Sequence, residues 1–238
     1  MKALRVVKGI SIVLLAVFIM NSCDRDELAE PVPVYLEINM ASYQADAKQS
    51  PGKKFTVDKG KIRFSGLEFD GKKENSDDYY FSKSFSPLLV GDLGNNTLNR
   101  NVSFDIPQGT YNPINLSLFL SNSDTIPAFC LQGTYQSNQH GEVEVHFRFF
   151  RQEEMFLFKA ENKAGNKKIV LQKGNNEKMQ VDLRLQSLFS LFNPNQLESA
   201  EYIIEGGKTK IIISENHNQN IYYSLVNRIE RTIHVVVK

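Results

Sequence analysis

Four histidines and two cysteines are the side chains best suited to nucleophilic or metal chemistry in this chain, and their spacing serves neither. His140, His146, His217 and His234 stand far apart, in turns or on strands. Nucleophilic catalysis needs a nucleophile, a base and an orienting group, and no Gly-x-Ser-x-Gly elbow supplies the first. Cys130 lies ten residues before His140, and His146 six after it. No C-x-x-C or H-x-x-x-H spacing turns that set into a ligand cluster, so no metal ligand and no cofactor are assigned. Cys130 sits in "IPAFCLQ" among apolar neighbours and is expected to be a small buried hydrophobe. His146, between Glu144 and Arg148, is expected at the surface.

Carboxylates are more plentiful. Hydrolysis of a glycoside needs two of them across a cleft. Glu68 and Asp70 flank a turn, and Asp77 and Asp78 follow closely. The stretch "LEFDGKKENSDDYY" lacks the alternating acidic ligands and closing glutamate of a calcium loop. A solvated hairpin tip explains it more simply. Within it, Asp77, Asp78, Tyr79 and Tyr80 form the expected partner-contact loop. Tyr79, Tyr80 and Phe81 offer either an aromatic face for a sugar or a strand entering the core. Residues 91–100 are the second contact region, because a rigid sheet scaffold presents its loops. Tryptophan is absent, so any stacking platform must use Tyr or Phe.

The elements that hold these residues read as strands. "VYLEINM" alternates Val34, Leu36, Ile38 and Met40 on one face. "EVEVHFRFF" alternates Val143, Val145, Phe147 and Phe149 against Glu142, Glu144, His146 and Arg148. Such period-two patterns mark half-buried strands, and clusters of Gly, Asn and Asp punctuate them. About ten short strands predict a mostly β chain, an antiparallel β-sandwich with one or two short helices near the C-terminal end. The helices are expected in "QSLFSLF" (186–192), stopped at Asn193-Pro194, and around Ile221, Leu225 and Ile229. The β-sandwich domain is expected over 34–238, with a possible subdivision near 121–127.

The chain opens on Lys2, Arg5 and Lys8, then an apolar run from Ile10 to Met20, then Asn21-Ser22-Cys23. Basic, apolar, then small and polar is the order of a secretory signal, and the apolar run is too short to span a bilayer as a helix. Ile19-Met20-Asn21-Ser22-Cys23 resembles a bacterial lipobox of the loose kind found in Bacteroidota lipoproteins, with Ile19 or Met20 in place of the usual leucine. The resemblance implies removal of residues 1–22, acylation at Cys23, and a tether over 23–33. Two or more acyl chains make a lasting anchor. Asp24, Asp26 and Glu27 resemble the acidic signal that sends such lipoproteins to the outer face of the outer membrane; the periplasmic face is the alternative. With Cys23 used for lipid, Cys130 has no partner for an internal disulfide.

Asp124-Thr125-Ile126 resembles the O-glycosylation motif of exported proteins in Bacteroides-type bacteria, with Thr125 as acceptor. The hairpin "FDIPQGTYNPINLSL" is similar to a unit of Bacteroidota β-sandwich lipoproteins with carbohydrate-binding-like or fimbrillin-like folds. It is also similar to an exported copper-associated family, whose His- and Trp-rich features are missing here. The formal net charge of +1 loses three cations with the leader, which leaves nothing to attract nucleic acid. These readings converge on a surface lipoprotein, held in the membrane through Cys23, that acts as a non-catalytic binding module for a glycan or a surface protein. The alternative is a structural or anchor subunit of a fimbria-like polymer, with "TIHVVVK" as the exchanged strand. An exported metal-binding protein or an enzyme is less favoured.

Overall fold

Alternation of apolar and polar residues is carried through nearly every strand. The computed structural model describes residues 30–45, 54–121, 123–150 and 155–238. The leader, Cys23, Asp24, Asp26 and Glu27 lie outside these residues. In chain order the strands are β1 (Pro31–Met40), β2 (Tyr43–Gln44), β3 (Phe55–Lys73), β4 (Tyr79–Asp92), β5 (Thr97–Leu98), β6 (Ser103–Pro107), β7 (Gly109–Leu120) and β8 (Phe129–Ser137). They continue as β9 (Gly141–Phe149), β10 (Met155–Lys159), β11 (Glu161–Asn162), β12 (Ile169–Leu171), β13 (Glu177–Leu183), β14 (Tyr202–Glu205), β15 (Lys208–Ile213) and β16 (Ile233–Val237). The helices are α1 (Leu185–Leu188), α2 (Gln219–Val226) and α3 (Ile229–Thr232), with a 3-10 turn at Pro194–Leu197.

Two sheets form a sandwich-like arrangement over one apolar core. The smaller runs β11-β16-β13-β1-β6, the larger β10-β7-β3-β8-β9-β15-β14, with β2, β4, β5 and β12 added at its margins. β3 is the spine of the larger sheet. Its first half pairs with β8 and its second half with β7, while β4 runs along its other edge. The register shifts between Phe64 and Gly66 and again between Val57 and Lys59, and such bulges bend a long strand. β7 and β8 lie on either side of 121–127, and both pair with β3.

Most strand pairs are antiparallel. β1 with β13, β9 with β15 and β11 with β16 are parallel. The parallel pairs need long connections, and the chain spends its helices there: α1 and the 3-10 turn follow β13, and α2 and α3 follow β15. β16, the "TIHVVVK" strand, is paired on both sides, with β13 and with β11.

The second helix is shorter than its periodicity. α2 buries Ile221, Tyr222 and Leu225, then closes as Arg228 N–H donates to Leu225 O, three residues back. Ile229 begins the separate α3. Pro194 opens a turn instead of only ending one: Asn193 Oδ1 accepts from Asn195 N–H, and proline suits the first helical position. Tyr43, Phe55, Phe189 and Phe192 pack edge-on or tilted, with ring centroids 4.8–6.0 Å apart, and tie α1 to the start of β3. In the hairpin from β6 to β7, Gly109 takes φ +150°, where a Cβ would strike the Lys73 side chain. Tyr111 is fully buried, and its hydroxyl donates to Pro107 O at 2.6 Å. Burial, with Tyr79 close by, pushes the Tyr111 phenol up to about 12.

Candidate functional site

The hairpin tip from β3 to β4 satisfies its own charges. Lys72 reaches both Asp78, at 3.0 Å, and Asp70, at 3.3 Å, while Asp78 also accepts from Lys73 N–H. The Lys72 ammonium holds the Asp78 carboxyl below its usual range. Asp77 stands exposed beside it. The tyrosines divide by strand parity. Tyr79 and Phe81 turn inward, and Phe81 stacks on Phe69 with centroids 5.4 Å apart. Tyr80 turns out onto the sheet face, 59% exposed, where its hydroxyl bonds Glu68. The three aromatic residues therefore do not form one face. Beside Tyr80 the bulge at Ser65 and Gly66 leaves a shallow hollow of about 650 Å³ floored by strand backbone.

Thr125 occupies an exposed turn, in which Ser123 Oγ accepts from the Thr125 and Ile126 amides. Cys130 departs from its expected burial. Odd and even residues of β8 face opposite sides, so Phe129 and Leu131 enter the core while Cys130 is half-buried on the outer face. His146 is more covered than a surface residue, with 14% of its side chain exposed. It lies in a charged row across β9 and β15. Glu144 accepts from Lys208 at 2.7 Å and from His146 at 3.2 Å, with Lys210 at 3.5 Å. Those partners, Lys208 first, hold the Glu144 carboxyl down to about 2. Burial lowers the His146 pKa, against the pull of Glu144. Arg148 and Lys210 share Glu205 at the end of the row. Among the described residues no three His, Cys, Asp or Glu side chains are grouped to hold a metal.

The second predicted contact region builds a more distinctive site. Residues 93–102 cross from β4 to β6 along the edge of β1. β6 pairs with β1 only from Pro31 to Tyr35. Beyond that, Leu36 N–H donates to Val102 O at 2.9 Å, and Met40 N–H donates to Asn96 Oδ1 at 2.6 Å. On a strand, backbone groups of alternate residues point to the same edge. The N–H and C=O of Ile38, midway between those two, therefore point there as well. Ile38 itself is buried. This edge borders a groove of about 400 Å³ walled by Asn96, Thr97, Leu98, Arg100 and Asn101, with Glu37, Asn39 and Gln180 at its rim.

The charged groups around this groove already have polar partners. Glu37 takes Lys178 at 2.6 Å, and Asp182 accepts from Asn39 and Gln180. Arg100 donates to Pro87 O and lies 5.7 Å over the Phe85 ring. The neutral groups on its exposed wall are the Asn96 Nδ2 group, the Thr97 hydroxyl and the Asn101 amide. Asn96 holds its place in a left-handed conformation, φ +54°, which asparagine tolerates. Behind the groove Gly91 leaves room for Ile38, since a Cβ there would lie 2.7 Å from Ile38 Cδ1. The run "NNTLNRN" signals an amide-rich wall, whereas the open edge of β1 has no signature in local sequence.

No family model, curated protein or solved structure matches the chain. The functional reading therefore stands on the residues themselves.

Proposed function

We propose that this protein is a lipid-anchored, non-catalytic binding module of the outer cell surface, and that the groove beside Ile38 receives a glycan. One observation carries the reading: the neutral amide and hydroxyl side chains of Asn96, Thr97 and Asn101 converge on the exposed wall of one groove. A polyhydroxylated, uncharged ligand answers such a set, because each hydroxyl both donates and accepts. The lipobox-like Cys23 supplies the anchor, and the acidic residues Asp24, Asp26 and Glu27 the export signal. Eight residues from Cys23 to Pro31 reach about 28 Å at full extension. Ile38 then lies a further 23 Å or so along β1.

The test is a glycan array probed with the full-length chain in detergent, followed by titration of any hit. Binding is expected to weaken at least fivefold in Thr97→Val and Asn101→Ala, both of which replace exposed side chains. Binding to no glycan, or binding indifferent to both substitutions, overturns the assignment. Ile204, 81% exposed on the edge strand β14, favours a protein contact as the second reading. In that case Ile204→Lys, and neither groove variant, would abolish capture of the partner.

A further inference from the structure

The turn that walls the groove has a second side. Asn96 and Thr97 line the groove, whereas Gly94 and Asn95 line a separate hollow of about 460 Å³ on the outer face of the larger sheet. Lys59, Lys61 and Arg63 line that hollow as well. They are alternate residues of β3, past its bulge at Val57 and Lys59, so their side chains leave one face about 7 Å apart. Gly60 and Ile62 between them are buried. Among the described residues no carboxylate pairs with any of the three cations. Arg63 gives one Nη to Pro127 O at 2.6 Å and keeps its other donors.

Two carboxylates share the hollow. Asp92 is committed to its own turn: Oδ1 accepts from the Gly94 and Asn95 amides and Oδ2 from Asn95 Nδ2, each at 3.1 Å. Asp58 stands exposed at the bulge. Three cations against two carboxylates leave a positive surplus, and Gln132 adds a neutral amide opposite Lys59. An oxyanion answers this arrangement, because it accepts from a guanidinium and from ammonium groups at once. Resting on the glycan reading above, we infer that this hollow takes the anionic group, carboxylate or sulfate, of an acidic sugar, while the groove on the other side of the turn holds an uncharged sugar of the same chain. One charge-assisted hydrogen bond contributes about tenfold or more in affinity, and salt weakens it at an exposed site.

The experiment uses the full-length chain in detergent micelles. The probes are hexasaccharides of hyaluronan and of polygalacturonate, each against its carboxyl-reduced counterpart, dextran sulfate against dextran, and a poly-glutamate peptide. An acidic sugar is expected to bind at least tenfold tighter than its neutral counterpart, to lose affinity as salt rises, and to slow maleimide reaction at Cys130, which lines the hollow. The carboxylate and sulfate arms show which oxyanion is preferred. Lys59→Gln and Lys61→Gln are each expected to cut the preference at least threefold. Lys167→Gln, at an exposed site past the far end of β3, is expected to leave it unchanged. Equal binding of acidic and neutral counterparts overturns the acidic inference and leaves the glycan reading standing. So does a preference that Lys167→Gln weakens as much as Lys61→Gln, since general attraction then explains it. Capture of the poly-glutamate peptide through Lys61, with no sugar bound, overturns both readings and makes the hollow an anion site for proteins. Binding of no probe and no other glycan also overturns both.

Discussion

Asn96 closes one end of the groove, and replacing it separates two energies that the structure superimposes. Its Oδ1 accepts the Met40 N–H at 2.6 Å, and its backbone sits at φ +54°. Asn96→Gly keeps the left-handed conformation and removes the acceptor. A partly buried amide left without its partner costs about 1–3 kcal/mol, so a central value is about 2 kcal/mol. Asn96→Ala loses the same bond and keeps a Cβ in the left-handed region without asparagine's tolerance of it, so it is expected about 1 kcal/mol below the glycine variant. Asn96→Asp keeps both acceptor and conformation and is expected within about 0.5 kcal/mol of the parent. In a domain of this length, 2 kcal/mol lowers the melting midpoint by about 6 °C. Denaturant unfolding of the full-length chain measures the three values, and hydrogen exchange at Met40 locates the change. An exposed asparagine with no such role would cost under about 0.5 kcal/mol in every variant. If glycine and alanine are both that mild, or if Met40 exchange is unaltered, the closed end of the groove is not as described.

Strand parity on β4 gives a second measurement. Phe81→Ala is expected to cost about 2–4 kcal/mol, since Phe81 packs on Phe69 and on Phe104 at 5.1 Å, whereas Tyr80→Ala stays within about 0.5 kcal/mol; equal costs in denaturant unfolding would mean a slipped register. Glu144 carries a pH signature. Its pKa falls from 4.5 in the unfolded chain to about 2 when folded, so its stabilisation is complete above pH 4.5 and is lost as pH falls toward 2. Glu144→Gln should therefore flatten the stability-versus-pH curve in that window and leave its slope near neutrality unchanged. His146 acts in a neighbouring window: its folded pKa is lowered below 6.5, so stability declines as pH drops through 6.5, and His146→Gln should remove part of that decline. Cys130, half-buried on the outer face of β8, is expected to react with a small maleimide in the native chain, whereas protection until unfolding would place it in the core.

Period-two alternation was legible because burial on one face writes itself into adjacent residues. It located β1, β7 and β9, and the inward side of each follows from which parity is apolar. The same rule carries the Cys130 correction, since its neighbours Phe129 and Leu131 already claim the inner parity of β8. Apolar character on both sides of a residue argues for burial only when the element is not a strand. In "DDYYF" the reading could not choose a face, because tyrosine suits either side of a sheet. Pairing with β3 makes the choice by setting Phe81 opposite Phe69. Parallel partners were out of reach for a different reason. β1 and β13 are separated by 143 residues between Asn39 and Asp182, and no local pattern records which strand a given edge will meet.

That non-local pairing is also what creates the groove. β1 enters the smaller sheet between β13 and β6, but β6 is five residues long and β1 is ten. The excess of β1 presents a bare edge, which in an isolated sheet invites another strand. Residues 96–102 cover that edge, with Val102 on Leu36 and Asn96 on Met40. The closure excludes a second copy of the strand, so the edge is protected from pairing. A longer β6 would cover Ile38, and a shorter crossing would leave room for a strand. The groove comes from the mismatch in strand lengths, and extending β6 by two residues is the change that should fill it without disturbing the core.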